Sequence, residues 1–425
     1  IIFPRGEFLS GSISLKSNIE LHLQKGSVLL GSTDPDDYGQ DDPKGPDLDE
    51  NKVTPSRMAL IVANNVTNIA LTGQGTIDGQ GMALAVTIDS LHHLGVRRVH
   101  NYNYRRMRPN EGSRPMLFAF TDSKEITVTG LHLKNSACWG LFFERCSDMV
   151  LDSLKVTNRA FWNNDGMDIT DCKNVKVTNC DLDTADDGIC LKSHTPGYFN
   201  DNIYVANCTI RSSASAVKFG TASHGGFKNI TIENIKVFDT FRSAIAIESV
   251  DGGDIENIKV SNVIAENTGN AIFIRLGHRA GEKPGTIKNV HIKDVKVQVP
   301  FGRPDIDYDL RGPEVDFFHN PFPSSIVGIP GHNVQNVILE NIDISFPGRA
   351  SKAMGYIPLN DLDRVPEKID DYPEFSMFGE LPAWGFYVRH AEGVTFKNVT
   401  INARNTDFRP AYVFDRVQNI SITDS

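Results

Sequence analysis

The sequence predicts an all-β chain wound as a parallel β-helix, a solenoid whose loop insertions form a cleft or pocket. Three observations carry that expectation. A short phrase, an Asn or other polar residue followed by alternating β-branched residues, recurs as N-I-A-L-T at Asn68, D-M-V-L-D at Asp148, N-V-K-V-T at Asn174, N-I-T-I-E at Asn229 and N-I-S-I-T at Asn419. Its successive copies at Asp148, Asn174, Asn202, Asn229 and Asn257 stand 26 to 28 residues apart, a period that suits stacked units of strands and turns. Within each unit the apolar residues alternate one by one rather than with a helical period, which reads as strand.

Taken in order, residues 6–31 alternate through Ile13, Leu15, Ile19, Leu21 and Leu23, a set of short strands. Residues 32–56 are rich in Asp, Pro and Gly with no apolar period, a surface excursion. From Asn68 onward the phrase repeats to the end of the chain. One coil cannot bury its inward face alone, so coils stack at about 4.8 Å and residues a whole repeat apart become neighbours. The recurring Asn is expected at a turn, where it tolerates a left-handed bend and pairs with its counterparts above and below. The N-x-S/T triplets at Asn65, Asn207, Asn229, Asn398 and Asn419 follow from that phrase and read as by-products of the fold. Two insertions, at about 80–115 and 300–385, interrupt the repeat. The first holds a short helix over 83–94 and a basic cluster of Arg97, Arg98, Arg105, Arg106, Arg108 and Arg114; the second holds P-F-G-R-P-D-I-D-Y and Y-P-E-F-S-M-F-G-E-L-P-A-W. Long insertions on a solenoid rise from one face, commonly the binding face. On this reading residues 1–425 are one domain, truncated at the N-terminus.

Composition narrows the function. The net charge of −10 argues against non-specific nucleic-acid binding, which needs a basic face, and no apolar run approaches the ~20 residues of a membrane span. The chain opens on I-I-F-P-R-G without the pattern of a signal peptide. Six cysteines, Cys138, Cys146, Cys172, Cys180, Cys190 and Cys208, fall in one stretch of repeats with no zinc-site spacing. Interior packing is the expectation for them, with disulfides the alternative. No nucleotide-binding, nucleophile-elbow or zinc-protease motif occurs, so neither a cofactor nor a metal is expected.

Residues 162–193 carry the chemistry. W-N-N-D-G-M-D-I supplies Asp165 and Asp168, and A-D-D-G-I-C-L-K-S supplies Asp186 and Asp187. Asp165 follows the landmark Asp148 by 17 residues and Asp187 follows Asn174 by 13, so both fall late in adjacent coils and share one outer face. Adjacent strand residues point to opposite sides, so Asp186 and Asp187 reach one cleft only if the chain bends, which Gly188 permits. A lone Asp-Gly is ordinarily a turn cap. Two acidic clusters in register instead suit acid–base chemistry on a poorly reactive bond such as a glycosidic link, because neighbouring charges keep one carboxyl protonated as an acid while another activates water. Asp165, Asp186 and Asp187 are the catalytic candidates.

With these residues in view, the sequence resembles glycoside hydrolase family 28, the polygalacturonase family of pectin-degrading, right-handed parallel β-helices. The likeness runs through the opening F-P-R-G-E-F-L-S-G-S-I-S-L-K-S-N-I-E-L-H-L-Q-K-G, G-Q-G-T-I-D-G at residues 73–79, R-P at Arg114, N-N-D-G-M-D and A-D-D-G-I. It implies that the family's N-T-D motif falls on Asn163, Asn164 and Asp165 and its D-D motif on Asp186 and Asp187. It implies an inverting mechanism, with Asp186 protonating the leaving oxygen while Asp165 and Asp187 activate water. The implied partner is an acidic plant polysaccharide or oligosaccharide, homogalacturonan or the rhamnogalacturonan backbone, met by a monomer that is secreted or periplasmic.

The chain departs from the family pattern further on. Ser215 stands where the G-H-G histidine would be, and His224, in S-H-G-G-F, reads as a turn residue. S-A-I-A-I-E-S, with Glu248, replaces R-I-K, and the next coil offers F-I-R-L-G-H-R with Arg275, His278 and Arg279. An anionic sugar needs a cation, and Arg meets a carboxylate with two hydrogen bonds. Lys192, Lys218, Glu248, Arg275, His278 and Arg279 are therefore the substrate-binding candidates. Trp139 and Trp162 are placed either to stack on a sugar ring or to pack inside. The insertions favour a closed pocket and exo action. Two other readings stand beside this one: a β-helical polysaccharide lyase using Ca²⁺ on the acidic cluster, and a non-catalytic β-helix of the adhesin kind.

Overall fold

The computed structural model describes residues 1–39, 58–100, 102–302, 304–305, 322–354 and 356–425. Most of the expected surface excursion and part of the second insertion, including Arg303 and residues 306–321, lie outside the described residues. The chain divides into two compact units, Ile1–Asp187 and Gly188–Ser425.

In the first unit, coils stack in parallel and in register as three sheets. One sheet pairs Ile19–Leu23, Thr67–Gly73, Lys124–Thr129, Ser147–Asp152 and Lys173–Thr178. A second pairs Ser27–Gly31, Thr76–Asp78, His132–Lys134, Lys155–Asn158 and Asp181–Thr184. A third pairs Ile13–Ser14, Ala59–Asn64, Met116–Thr121, Leu141–Glu144 and Met167–Thr170. Alternation along each strand turns inward positions into columns: Leu21, Leu71, Val128, Leu151 and Val177 in the first sheet, Leu29, Ile77, Leu133, Val156 and Leu182 in the second, and Ala63, Phe120, Phe143 and Ile169 in the third, all buried. Each larger member contributes roughly 1.5–3 kcal/mol by leaving water.

The second unit continues the same construction with longer strands that turn corners without breaking. Asn200–Ser212, Gly226–Ser249, Asp254–Leu276, Thr286–Gln298, Val334–Phe346, Phe386–Ala403 and Tyr412–Thr423 pair in parallel. Ile203, Ile230, Ile258, Val290, Val337 and Val394 form its clearest column, in register throughout.

The recurring polar landmark makes these corners. In the first unit Asn68, Glu125, Asp148 and Asn174 have φ between 55° and 57°. In the second, Asn202, Asn229, Asn257, Asn289 and Asn336 have φ between 54° and 60°, the left-handed region that Asn enters more easily than other side-chain-bearing residues. Their amides ladder as expected: Asn257 donates to Asn229 at 3.1 Å, Asn289 to Asn257 at 3.3 Å and Asn336 to Asn289 at 3.2 Å. Asn257→Ala is therefore expected to lower stability by about 1–2 kcal/mol, through the bend and the lost amide bonds. Asn257→Gly, which keeps the bend accessible, should lose the smaller part of that in a urea titration. Equal losses for the two variants would show that the side-chain ladder, and not the bend, sets the cost.

All six cysteines are buried thiols, the packing expected of them. Burial pushes the Cys138 thiol up to about 12. The helix of the first insertion spans Gly81–His93 and buries Leu84, Ala85 and Ile88. Gly81 is required there because a Cβ would fall 2.1 Å from the Ser136 carbonyl oxygen. In the second unit Phe322, Val365, Phe375, Phe378 and Leu381 of the other insertion pack on Phe273, Tyr387 and Val413. The buried pair Arg242–Glu374, at 2.8 Å, fixes the same segment to a coil. Among the described residues, no helix is long and apolar enough to cross a membrane.

Candidate active site

The two acidic clusters occupy equivalent connections of the first unit. Strand Lys155–Asn158 leads into the turn holding Asp165, and its register partner Asp181–Thr184 leads into Asp186 and Asp187. The backbone laces the two connections together: the Asp186 N–H donates to the Asn164 carbonyl at 3.2 Å and the Gly166 N–H to the Asp187 carbonyl at 2.9 Å. One carboxylate oxygen from each of Asp165, Asp186 and Asp187 consequently lies within 4.8 Å of the other two. Asp165 is 3% and Asp187 4% exposed, and Asp186 is half-buried. Like charges this close favour a shared proton, because full ionisation in a site that is largely out of water is costly.

The bend at Asp186 that the sequence required is present. The Asp187 N–H donates to Asp186 Oδ1 at 3.0 Å, and Thr184 Oγ1 donates to the Asp186 carbonyl at 2.6 Å. Gly188 serves a different purpose from the one expected: it has no left-handed φ, and a Cβ there would meet Ala216 O and Ile210 Cγ2, each at 2.6 Å. Close approach within its own unit, not bending freedom, demands glycine. Asp168, the remaining acid of the first cluster, is wholly buried in strand Met167–Thr170.

The turn bearing Asp165 is held by buried polar side chains. Arg114, 0% exposed, donates through Nε to the carbonyls of Pro109 and Asn110, through Nη1 to those of Ala137 and Trp162, and through Nη2 to Asn163 Oδ1. Asn164 accepts from the Phe161 N–H at 2.6 Å and donates to the Ser136 and Cys138 carbonyls. Asn158 donates to the Asp165 carbonyl at 2.8 Å. Of the two tryptophans, Trp139 packs with Phe142, Met116 and Cys138, whereas the Trp162 ring lies 4.2 Å from the Arg108 guanidinium carbon. The trio is compact enough for one divalent cation to bridge it, as a calcium-dependent lyase would need; compactness alone does not favour that reading.

The sequence model of the family described as Glycosyl hydrolases family 28 matches residues 2–302. The chain belongs to glycosyl hydrolases family 28. Among its relatives, a Vitis vinifera protein named "Probable polygalacturonase" is 23% identical over 350 residues, 80% of this chain and 61% of the relative. An "Endo-polygalacturonase" of Pectobacterium parmentieri is 24% identical over 277 residues, 63% of this chain and 64% of the relative. This chain thus spans less than two thirds of the length of either. The solved structure of a Yersinia enterocolitica family 28 exopolygalacturonase aligns with TM-score 0.68 at 19% identity, over 99% of this chain and 72% of that one. The fold is the right-handed parallel β-helix of family 28 structures, as the resemblance implied.

The six substrate-binding candidates of this family 28 chain lie in its second unit. Lys218 is 2% exposed; its Nζ stands 3.2 Å from the Tyr372 hydroxyl and 5.4 Å from that ring's centre. Glu248 and Lys192 are 2% and 7% exposed. Glu248 and Arg275 are register partners on adjacent strands. Arg275, 0% exposed, donates to the carbonyls of Gly328, Glu367 and Lys368 and lies over the Phe378 ring at 5.1 Å, and burial pulls its pKa down to about 10. Arg279 forms a two-pronged pair with Asp251 at 3.0 and 2.8 Å, and His278 Nε2 meets the Gly281 carbonyl at 3.1 Å. Arg275 and Arg279 thus spend donors on the protein, fixing the insertion and a loop. Ser215 is 3% exposed, and His224 sits in the bend after strand Val217–Ser223, the place expected of a turn residue.

Sequence reasoning did not assign roles to Arg114, Asn158 and Asn164, nor to Tyr372. The R-P at Arg114 marked the position, but four of its five acceptors are carbonyls, two of them 23 and 48 residues away, and a carbonyl carries no side-chain signature. Tyr372 lies in an insertion with no repeat to place it.

Proposed function

We propose that this chain is a glycoside hydrolase of pectic polysaccharide that cleaves a galacturonic acid linkage, in homogalacturonan or in the rhamnogalacturonan backbone. The observation that carries the reading is the convergence of Asp165, Asp186 and Asp187 at the positions of the family's N-T-D and D-D motifs. Asp186, the least buried of the three, donates its proton to the leaving oxygen. Asp165 and Asp187 hold and deprotonate the attacking water. Of the second-unit candidates, Lys218, whose Nζ meets the Tyr372 hydroxyl, is proposed as a cation for a uronate carboxylate.

Inversion is part of the proposal and rests on family membership. A generic inverting pair keeps its carboxyl groups about 6.5–9.5 Å apart, and a retaining pair about 5–5.5 Å. The trio's oxygens, within 4.8 Å of one another, do not by themselves favour inversion. Following hydrolysis of galacturonate oligomers by proton NMR tests it: the first product detected should carry the anomeric configuration opposite to the substrate. Net retention would overturn inversion while leaving hydrolysis intact. Exo action is also part of the proposal, on the long insertions in the sequence, and a polymer digest should then release one small sugar from the first time points; an early ladder of oligomers would point to endo cleavage.

The hydrolase is expected to keep its full rate in excess EDTA and to form no product absorbing in the ultraviolet. Loss of activity on chelation, restored by Ca²⁺, together with an unsaturated product would replace this reading with the lyase.

A further inference from the structure

Between the helix Gly81–His93 and Arg114 the chain builds a wall that the proposed mechanism leaves unused. Tyr102 anchors it, stacking on His92 with ring centres 4.3 Å apart and donating its hydroxyl to Asp89 at 2.5 Å. Asn103 and Arg108 then exchange backbone hydrogen bonds of 3.1 and 3.2 Å, closing a turn whose tip, residues 104–107, is exposed and carries Arg105 and Arg106. At the foot of this turn the Arg108 guanidinium carbon lies 4.2 Å from the centre of Trp162, the residue just before Asn163, Asn164 and Asp165. Asp186 acts on it as a nearby negative charge.

Arg108 differs from its buried neighbour Arg114. Arg114 gives hydrogen bonds to five acceptors. Arg108 is 6% exposed, yet its Nε and Nη1 have no hydrogen-bond acceptor among the described residues. Its ion-pair partner, Glu111 Oε1, is 3.6 Å from Nη2, beyond a good hydrogen bond. Burial and the charge of Arg114 pull its pKa down to about 10. A cation held out of water with unmet donors is costly to keep. The ligand that matches its planar fork is a carboxylate.

We propose that Arg108 is a specificity-determining residue that recognises a uronate carboxylate beside the acid trio, with Trp162 holding the plane of the guanidinium. The exposed Arg105 and Arg106 extend the cationic surface along an acidic chain. The inference rests on the hydrolytic reading of the trio and adds a selectivity to it: a free carboxylate is preferred over its methyl ester, which leaves the charge of Arg108 unanswered.

The test compares kcat/KM for a galacturonate oligomer and for the same oligomer fully methyl-esterified, in wild type, Arg108→Met and Arg108→Lys. Wild type should prefer the acid. Arg108→Met should lose about 10- to 100-fold on the acid and less than about threefold on the ester, since only the charged partner uses the lost group. Arg108→Lys, which keeps charge without the fork, should fall between; if the Met variant does not fold, as judged by its circular dichroism melt, the Lys variant carries the same acid-over-ester comparison. Equal losses on acid and ester, or no loss on the acid, would overturn the proposal while leaving the hydrolase in place. A wild type that cleaves neither these oligomers nor oligomers of the rhamnogalacturonan backbone would instead overturn the hydrolytic reading, and this inference with it.

Discussion

Asp186→Asn is expected to lower kcat on galacturonate oligomers by about a hundred- to ten-thousand-fold, the range a positioned general acid supplies. The change should be chemical and not structural. Asn keeps an oxygen where Asp186 Oδ1 accepts from the Asp187 N–H, so the bend persists, and the side chain is only half-buried. The sharper measurement uses leaving groups. A substrate whose departing group is a weak base needs little protonation, so the variant should recover most of its rate on an activated aryl glycoside. Asp165→Asn and Asp187→Asn, which remove the groups assigned to water, should lose rate on both kinds of substrate. An Asp186→Asn variant equally poor on activated and natural substrates would reassign Asp186 from acid to another role. If all three variants keep wild-type activity, the chemistry lies elsewhere.

The largest effect on stability is expected from Arg114→Met. The substitution approximately keeps the volume but leaves the carbonyls of Pro109, Asn110, Ala137 and Trp162 and Asn163 Oδ1 without their donor. Unmet buried acceptors cost about 1–3 kcal/mol each where water cannot reach them, but relaxation and non-additivity limit the sum; a loss of about 3–5 kcal/mol is expected. Relief of the repulsion between Arg114 and Arg108 offsets part of it. Arg114→Lys should recover little, because one ammonium cannot span acceptors placed around a planar fork. Guanidinium unfolding followed by tryptophan fluorescence and circular dichroism reads the loss. Activity should fall as well, since Arg114 holds the turn from which Asp165 projects. A variant within about 1 kcal/mol of wild type, below the cost of even one unmet buried acceptor, would show that solvent or a rearranged loop replaces those bonds.

Some of this was legible in the chain alone because the relevant physics is local or periodic. The landmark at Asn68, Asp148, Asn174 and Asn229 encodes a left-handed corner residue by residue, and the alternation after it encodes which side chains face inward. Stacking follows from those two facts, since a coil with one apolar face has only its neighbours to bury it against. The pairing of Asp165 with Asp186 and Asp187 was readable for the same reason: equal places in adjacent repeats must become neighbours. Arg275 shows where such reading stops. As a late-coil arginine in F-I-R-L-G-H-R it suits an anionic ligand, but its donors go to the carbonyls of Gly328, Glu367 and Lys368, the last two in an insertion whose path no repeat dictates.

The solenoid, its corner residues, the family and the meeting of three carboxylates can all be read from the chain, because each is set by spacing or by side-chain type. Which cations are committed, and which keep unmet donors, depends on the folded molecule. Arg114 is absorbed by four carbonyls and Asn163, Arg279 by Asp251, and both Nη groups of Arg275 by carbonyls although its Nε is unmet, while Arg108 has two unmet donors on the face of Trp162. That distinction depends on acceptors, largely backbone carbonyls, that distant segments bring to a guanidinium, and a carbonyl leaves no mark in the amino-acid sequence.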